Sequence, residues 1–270
     1  MKRRPSPSRR ARSSRGTSAA ARRPRRSHRR IAAPASPQAA PTPGLLQELA
    51  QRVLFRDQNV IVLNKPAGLA VHPGPSGGLS LEAALEALRF EARTPPALAH
   101  RLDRDTSGCL TLARRPSALR RLHELFAAGQ IEKTYWAVVQ GSPKAESGVV
   151  ELALRKRNRK DGWKMVVDPA GQAAITAWRV LGRGPGLTWI ECKPRTGRTH
   201  QVRVHCAALG CPILGDPVYG TTALRSGTPL HLHARALSIP FAPEGPPIAV
   251  VAPVPGEMLE ALRACGFTGG

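Results

Sequence analysis

The chain has 270 residues and carries 41 Lys and Arg against 18 Asp and Glu, a formal net charge of +23. Its 41% hydrophobic content suffices for a globular core, and no apolar run approaches the ~20 residues that span a bilayer. Five cysteines, an odd number with no C-x-x-C pair, argue against a disulfide framework.

The basic residues are unevenly spread. Thirteen of them, and none of the acids, fall in residues 1–43, and the remaining 28 still outnumber the 18 acids. Such a balance favours a polyanionic partner, because each neutralised phosphate releases counterions. Residues 1–44 mix Arg, Ser, Pro and Ala without apolar periodicity, so they are expected to be a disordered basic arm. They lack the apolar h-region of a secretory signal. An Arg- and Ser-rich, acid-free start also fits a transit peptide, but Pro5, Pro7, Pro24 and Pro34 would cut any amphipathic helix short. Together with the unpaired cysteines, this makes the cytoplasm the expected compartment.

One folded domain is expected over 45–270, and its elements are read in chain order. A short helix begins near Leu45. Two β-prone runs, Val53–Asp57 and Val60–Asn64, flank a polar turn and predict a hairpin. Pro66-Ala67-Gly68 forms a tight turn. Leu81, Leu85 and Leu88 have helical spacing, with Ser80 as N-cap. Cys109–Ala113 reads as a strand and Pro116–Ala128 as a helix with Pro in its first turn and Gly129 past its end. Strands are expected at Ile131–Gln140, Val149–Leu154, Trp163–Val167, Ala173–Leu181 and Leu187–Lys193. Arg155–Lys160 reads as the basic tip of a hairpin. His200–Leu209 is a short helix stopped by Gly210, His231–Ile239 and Ile248–Val251 are late strands, and Glu257–Ala264 closes the chain as a helix. Successive strands with short connections predict an α+β fold with a mixed, mostly antiparallel sheet and flanking helices.

Two segments carry the chemistry. His100-Arg101-Leu102-Asp103-Arg104-Asp105-Thr106-Ser107-Gly108 places an acid on a turn leading into a strand, where side chains held by a rigid scaffold do chemistry. Thr196-Gly197-Arg198-Thr199-His200-Gln201-Val202-Arg203-Val204-His205 offers a guanidinium, Arg198, at the start of a helix whose first N–H groups are free for an anion. Such an Arg can pair with a partly buried carboxylate. Tyr135, on the strand Glu132-Lys133-Thr134-Tyr135-Trp136, is either a core aromatic or a stacking platform for a base. Asp103 and Asp105 are too close in sequence for the two opposed carboxylates of a glycosidase. His200 and His205 lack the i, i+4 spacing of a zinc helix, His231 and His233 lack further ligands nearby, and no P-loop is present. No metal and no nucleotide cofactor is expected.

These segments resemble the RluA-type pseudouridine synthases. The resemblance runs from about Val53 to Val254 and includes the stretch from Leu63-Asn64-Lys65-Pro66 to His72-Pro73-Gly74, the Asp103 loop, Glu132-Lys133-Thr134-Tyr135, and the Arg198 loop. It continues through Pro212-Ile213-Leu214-Gly215-Asp216-Pro217-Val218-Tyr219-Gly220 and ends at Leu230-His231-Leu232-His233-Ala234. It implies an enzyme that isomerises uridine to pseudouridine in structured RNA, ribosomal or transfer, without a cofactor, in a central active-site cleft. It further implies that Asp103 is the catalytic acid, Tyr135 stacks on the base and Arg198 pairs with the aspartate. Val202 would lie against the uracil and Arg101 would fill the space left by the flipped base. His100, Thr106 and His200 would line the substrate site. The upstream RNA-binding module of many relatives is replaced here by the Arg- and Pro-rich arm. A monomer is expected. A noncatalytic RNA-binding or ribosome-assembly factor on the same fold is the alternative.

Overall fold

The computed structural model describes residues 40–74, 77–159, 162–220 and 227–269. The arm expected over 1–44 therefore lies, as far as residue 39, outside the described residues. Helix α1 spans Pro43–Gln51, opening two residues ahead of the expected start. The Thr42 side chain accepts the Leu45 N–H at 3.3 Å and caps it.

Ten strands form one sheet. They are β1 (Val53–Arg56), β2 (Val60–Lys65), β3 (Ala97–Leu98), β4 (Ser107–Ala113), β5 (Glu132–Gln140), β6 (Ser147–Glu151), β9 (Ile175–Gly184), β10 (Leu187–Pro194), β11 (Leu232–Ile239) and β12 (Ile248–Val251). The order is β1-β2-β4-β11-β5-β10-β9-β6, with β12 on β11 and β3 on β4. The pairing is antiparallel except between β4 and β11, so the sheet is mixed and mostly antiparallel, as expected. Strands β7 (Leu154–Arg159) and β8 (Gly162–Val167) form a separate hairpin. The segment read as a hairpin tip is thus itself a strand as far as Arg159, and Lys160 lies outside the described residues.

Period-2 alternation builds the core. On β2 and β4, Ile61, Leu63, Leu110 and Leu112 face α1 and a 3₁₀ segment, Glu82–Leu88. Val60, Val62, Cys109 and Ala113 face the opposite way, onto α2 (Pro116–Ala127). On β5, Ala137 and Val139 pack toward α3 (Gln201–Ala208), whereas Trp136 and Val138 pack on α4 (Gly256–Ala264). The leucine-rich segment after Ser80 was expected to be an α-helix and is 3₁₀. Its leading N–H groups, on Leu81 and Glu82, donate to Ala70 O and Val71 O, which ties its start to a neighbouring loop. Leu81, Leu85 and Leu88 are buried all the same.

The parallel junction positions the site. Lys65 pairs with Gly108, Gly108 with Ala234, Ala234 with Tyr135, and Tyr135 with Cys192, one register line across five strands. Gly108 is the residue this crossing demands. Its φ is +105°, and a Cβ there would collide with the Ala234 backbone. The loop carrying Asp103 therefore enters the sheet at its centre, two strands from Tyr135.

Candidate active site

Asp103 lies in the bend between β3 and β4, where the Thr106 N–H closes a turn on the Asp103 carbonyl at 3.2 Å. Beneath it lies Lys65, wholly buried. Its Nζ donates to Pro66 O and Leu69 O at 2.8 Å and to Arg104 O at 2.9 Å. Burial pulls this amine down to about 7, opposed by the charges of Asp105 and Asp103. One side chain thus joins the end of β2, the Pro66–Leu69 turn and the aspartate loop. On the other flank, His100 Nε2 accepts the Thr111 N–H at 2.9 Å. Burial, with the Lys133 charge second, pushes this imidazole down to about 3, so it is a neutral acceptor that fixes the loop onto β4.

The guanidinium facing Asp103 belongs to Arg203. Its Nη1 is 3.3 Å from Asp103 Oδ2, while Nε and Nη2 form a fork on Asp216, each at 2.8 Å. The Asp216 side chain is completely buried and that of Arg203 nearly so. Burial alone would raise the Asp216 carboxyl, but the Arg203 hydrogen bonds and charge, with the Tyr219 and Val218 N–H groups, hold it below its ordinary value. Asp216 is therefore a permanent counter-charge that orients Arg203 and leaves Nη1 for Asp103.

Arg198, expected to make this pair, does not. Its guanidinium is exposed and donates from Nε to Ala173 O at 3.1 Å, and its backbone N–H goes to Gln201 Oε1 at 3.0 Å. The reason is helical geometry. Arg198 precedes α3, whereas His200 and Arg203, three apart, share the face turned to Asp103. Gln201 pins the preceding loop: its Oε1 also accepts from Thr196 Oγ1 at 2.7 Å, and its Nε2 donates to Ile175 O and Thr176 Oγ1 at 2.9 Å.

His200 caps α3 with φ +53°, a left-handed conformation uncommon outside glycine. Its Nδ1 is 2.9 Å from the Tyr219 hydroxyl and its Nε2 is 3.8 Å from Asp103 Oδ2. Burial lowers its pKa, with Asp103 the main opposing influence. Asp103, Arg101, His100, Thr106, Tyr135, Arg198, His200 and Val202 all line a single cleft of about 470 Å³, alongside Arg203 and Lys133. Within it Val202 is buried, Arg101 is exposed, and Thr106 is buried with no hydrogen-bond partner for its hydroxyl among the described residues. Tyr135 packs against two core clusters and its hydroxyl is held neutral by burial, reinforced by Asp103.

Residues 59–208 match the family described as RNA pseudouridylate synthase. The chain belongs to that family. It is 46% identical over 221 residues to an uncharacterised RNA pseudouridine synthase of Zymomonas mobilis, covering 81% of this chain and 99% of the relative. It is 37% identical over 226 residues to ribosomal large subunit pseudouridine synthase C of Escherichia coli, covering 80% and 69%. Among solved structures it resembles human RNA pseudouridylate synthase domain containing 4, with TM-score 0.69 and 32% identity over 82% of this chain and 95% of that one. The RluA-type resemblance and the α+β architecture are both borne out, and the chain is an isomerase that converts uridine to pseudouridine in RNA.

Sequence reasoning passed over Lys65, Gln201, Arg203, Asp216 and Tyr219 as site residues. A signal existed for Arg203: a charge inside a helix buried from Gln201 to Cys206 needs a buried partner. Nothing local marked Asp216 as that partner.

Proposed function

We propose that Asp103 is the catalytic carboxylate of this synthase, oriented by Arg203, and that ribosomal or transfer RNA is its substrate in the cytoplasm. The observation that carries this is the chain of charges from buried Asp216 through Arg203 to Asp103, the one carboxylate among the described residues that lines the cleft. The isomerisation breaks the N1–C1′ bond of uridine and forms C5–C1′, with the C5 hydrogen leaving as a proton and N1 taking one up. Asp103 acts either by removing a ribose proton or by attacking a carbon directly.

The target base must leave its helix, at a few kcal/mol. Stacking on Tyr135 offsets that by ~1–3 kcal/mol. Val202 offers the detached uracil an apolar wall. Arg101 fills the space left by the flipped base, and Arg198 and the basic β7–β8 hairpin supply phosphate contacts. The arm over residues 1–44 adds nonspecific affinity. The protein acts as a monomer.

The test is tritium release from 5-tritiated uridine in bulk RNA of a strain lacking the protein, with pseudouridine mapping before and after restoration. Release, and sites that vanish and return in ribosomal or transfer RNA, are expected. RNA binding without release would favour the noncatalytic alternative.

A further inference from the structure

Trp163 stands on β8 and is 41% exposed, whereas Trp178 and Trp189 are buried and Trp136 is partly so. Its indole stacks on the His200 imidazole, with centroids 5.1 Å apart and planes at 26°. Lys156 Nζ, from β7, sits 4.7 Å from the centroid of the same indole. The hairpin that carries it is joined to the rest of the fold at its base by the backbone pair of Leu154 and Gln172. Trp163 and Met165 lie two apart on β8 and so point to the same side. Both reach His200: Trp163 directly, and Met165 through its N–H, which donates at 3.0 Å to the Tyr219 hydroxyl bonded to His200 Nδ1.

An in-plane hydrogen bond at Nδ1 fixes one edge of an imidazole and leaves it free to swing about that bond. A flat aromatic laid on its face removes that freedom. We infer that Trp163 is a positioning residue for the isomerisation: by stacking on His200 it holds Nε2 toward Asp103, linking the basic hairpin to the reacting carboxylate. This rests on the reading of Asp103 as the catalytic group. Cations on β7 that grip RNA phosphates then also set the wall of the cleft beside the flipped nucleotide.

Two measurements test it. Trp163→Ala is expected to lower kcat about tenfold with KM for RNA unchanged within about twofold, and Trp163→Phe, which keeps a stacking ring, to restore kcat to within about twofold of the parent. The second needs no turnover. A protonated imidazole quenches a stacked indole. The wild-type minus Trp163→Phe emission is therefore expected to fall as pH drops below the ordinary histidine value of 6.5, and His200→Gln to remove the step. The groups facing His200 are Asp103, Asp216, Arg203, Arg101, Tyr219 and Trp163. Of these groups, it is the imidazole that carries the indole on its face.

Unchanged kcat in Trp163→Ala overturns the inference, as does a loss confined to KM with a shallower salt dependence, which would make Trp163 an RNA contact only. A difference emission flat in pH overturns it even if the alanine variant does not fold. A protein that releases no tritium at all sinks the synthase reading instead, and the emission step still reports on the stack.

Discussion

The Asp103 loop and the β7–β8 hairpin border the same site and are built in opposite ways. The loop is anchored by buried polar groups: Lys65 under it, His100 on β4 and Arg203 against its acid. The hairpin exposes Arg155, Lys156, Arg157, Asn158 and Arg159 and buries only Leu154 and Met165 at its base, against Val204 and Tyr219. Chemistry requires a carboxylate held to within a fraction of an ångström. Gripping a phosphate chain requires charge and reach. The difference shows where each requirement is met.

The sharpest way to break this contrast is Arg203→Met. It leaves Asp216 charged and buried without its counter-charge, a loss of ~3–5 kcal/mol readable in urea unfolding, and abolishes turnover in whatever folds. Arg198→Met is the matched control, expected to keep stability within about 0.5 kcal/mol. If the arginine variants exchange these outcomes, the charge pairing described here is wrong.

Lys65→Met comes next. It strands three carbonyls at the root of the aspartate loop, an expected loss of ~2–4 kcal/mol with kcat falling further than KM rises. A variant as stable as the parent would show that Lys65 does not anchor the loop.

A third prediction concerns acid. His100 sits at about 3 in the folded protein against an ordinary 6.5, so between those values the unfolded chain binds the extra proton. Its contribution is complete above pH 6.5 and is lost as pH falls toward 3, at up to about 1.4 kcal/mol per pH unit. His100→Gln, which can still accept the Thr111 N–H, is expected to flatten that slope in unfolding measured from pH 6.5 to 4. An unaltered slope would assign the acid sensitivity elsewhere, for instance to His233, which burial lowers to about 4.

The smallest effect belongs to the hairpin. Replacing Arg157 and Arg159 by serine is expected to raise KM about tenfold at moderate salt and to reduce the slope of log affinity against log salt by roughly 0.7–0.9 per charge removed, with kcat spared. A loss confined to kcat would make these groups part of the chemistry.

The sequence made the sheet legible because its strands are short β-prone runs bounded by turn residues, such as Val60–Asn64 ahead of Pro66-Ala67-Gly68, and the Asp103 and Tyr135 motifs were in plain view. Besides the hairpin tip that is itself strand β7, it misled at two places. Ser80 and the leucine spacing suggested an α-helix where backbone bonds to Ala70 and Val71 impose a tighter turn. Arg198 stood nearest the loop-to-helix boundary, yet Arg203 faces the acid, because the helix turns His200 and residue 203 inward together. Lys65 reaches the Asp103 loop through the antiparallel β2–β4 pairing and Asp216 acts on Asp103 by way of Arg203, tertiary facts without a local signature.

The central claim is most directly tested by single-turnover tritium release from Asp103→Asn, with RNA affinity measured on the same preparation. The account predicts release reduced by at least about a thousandfold and affinity within about threefold of the parent. Release at the parental rate would contradict it.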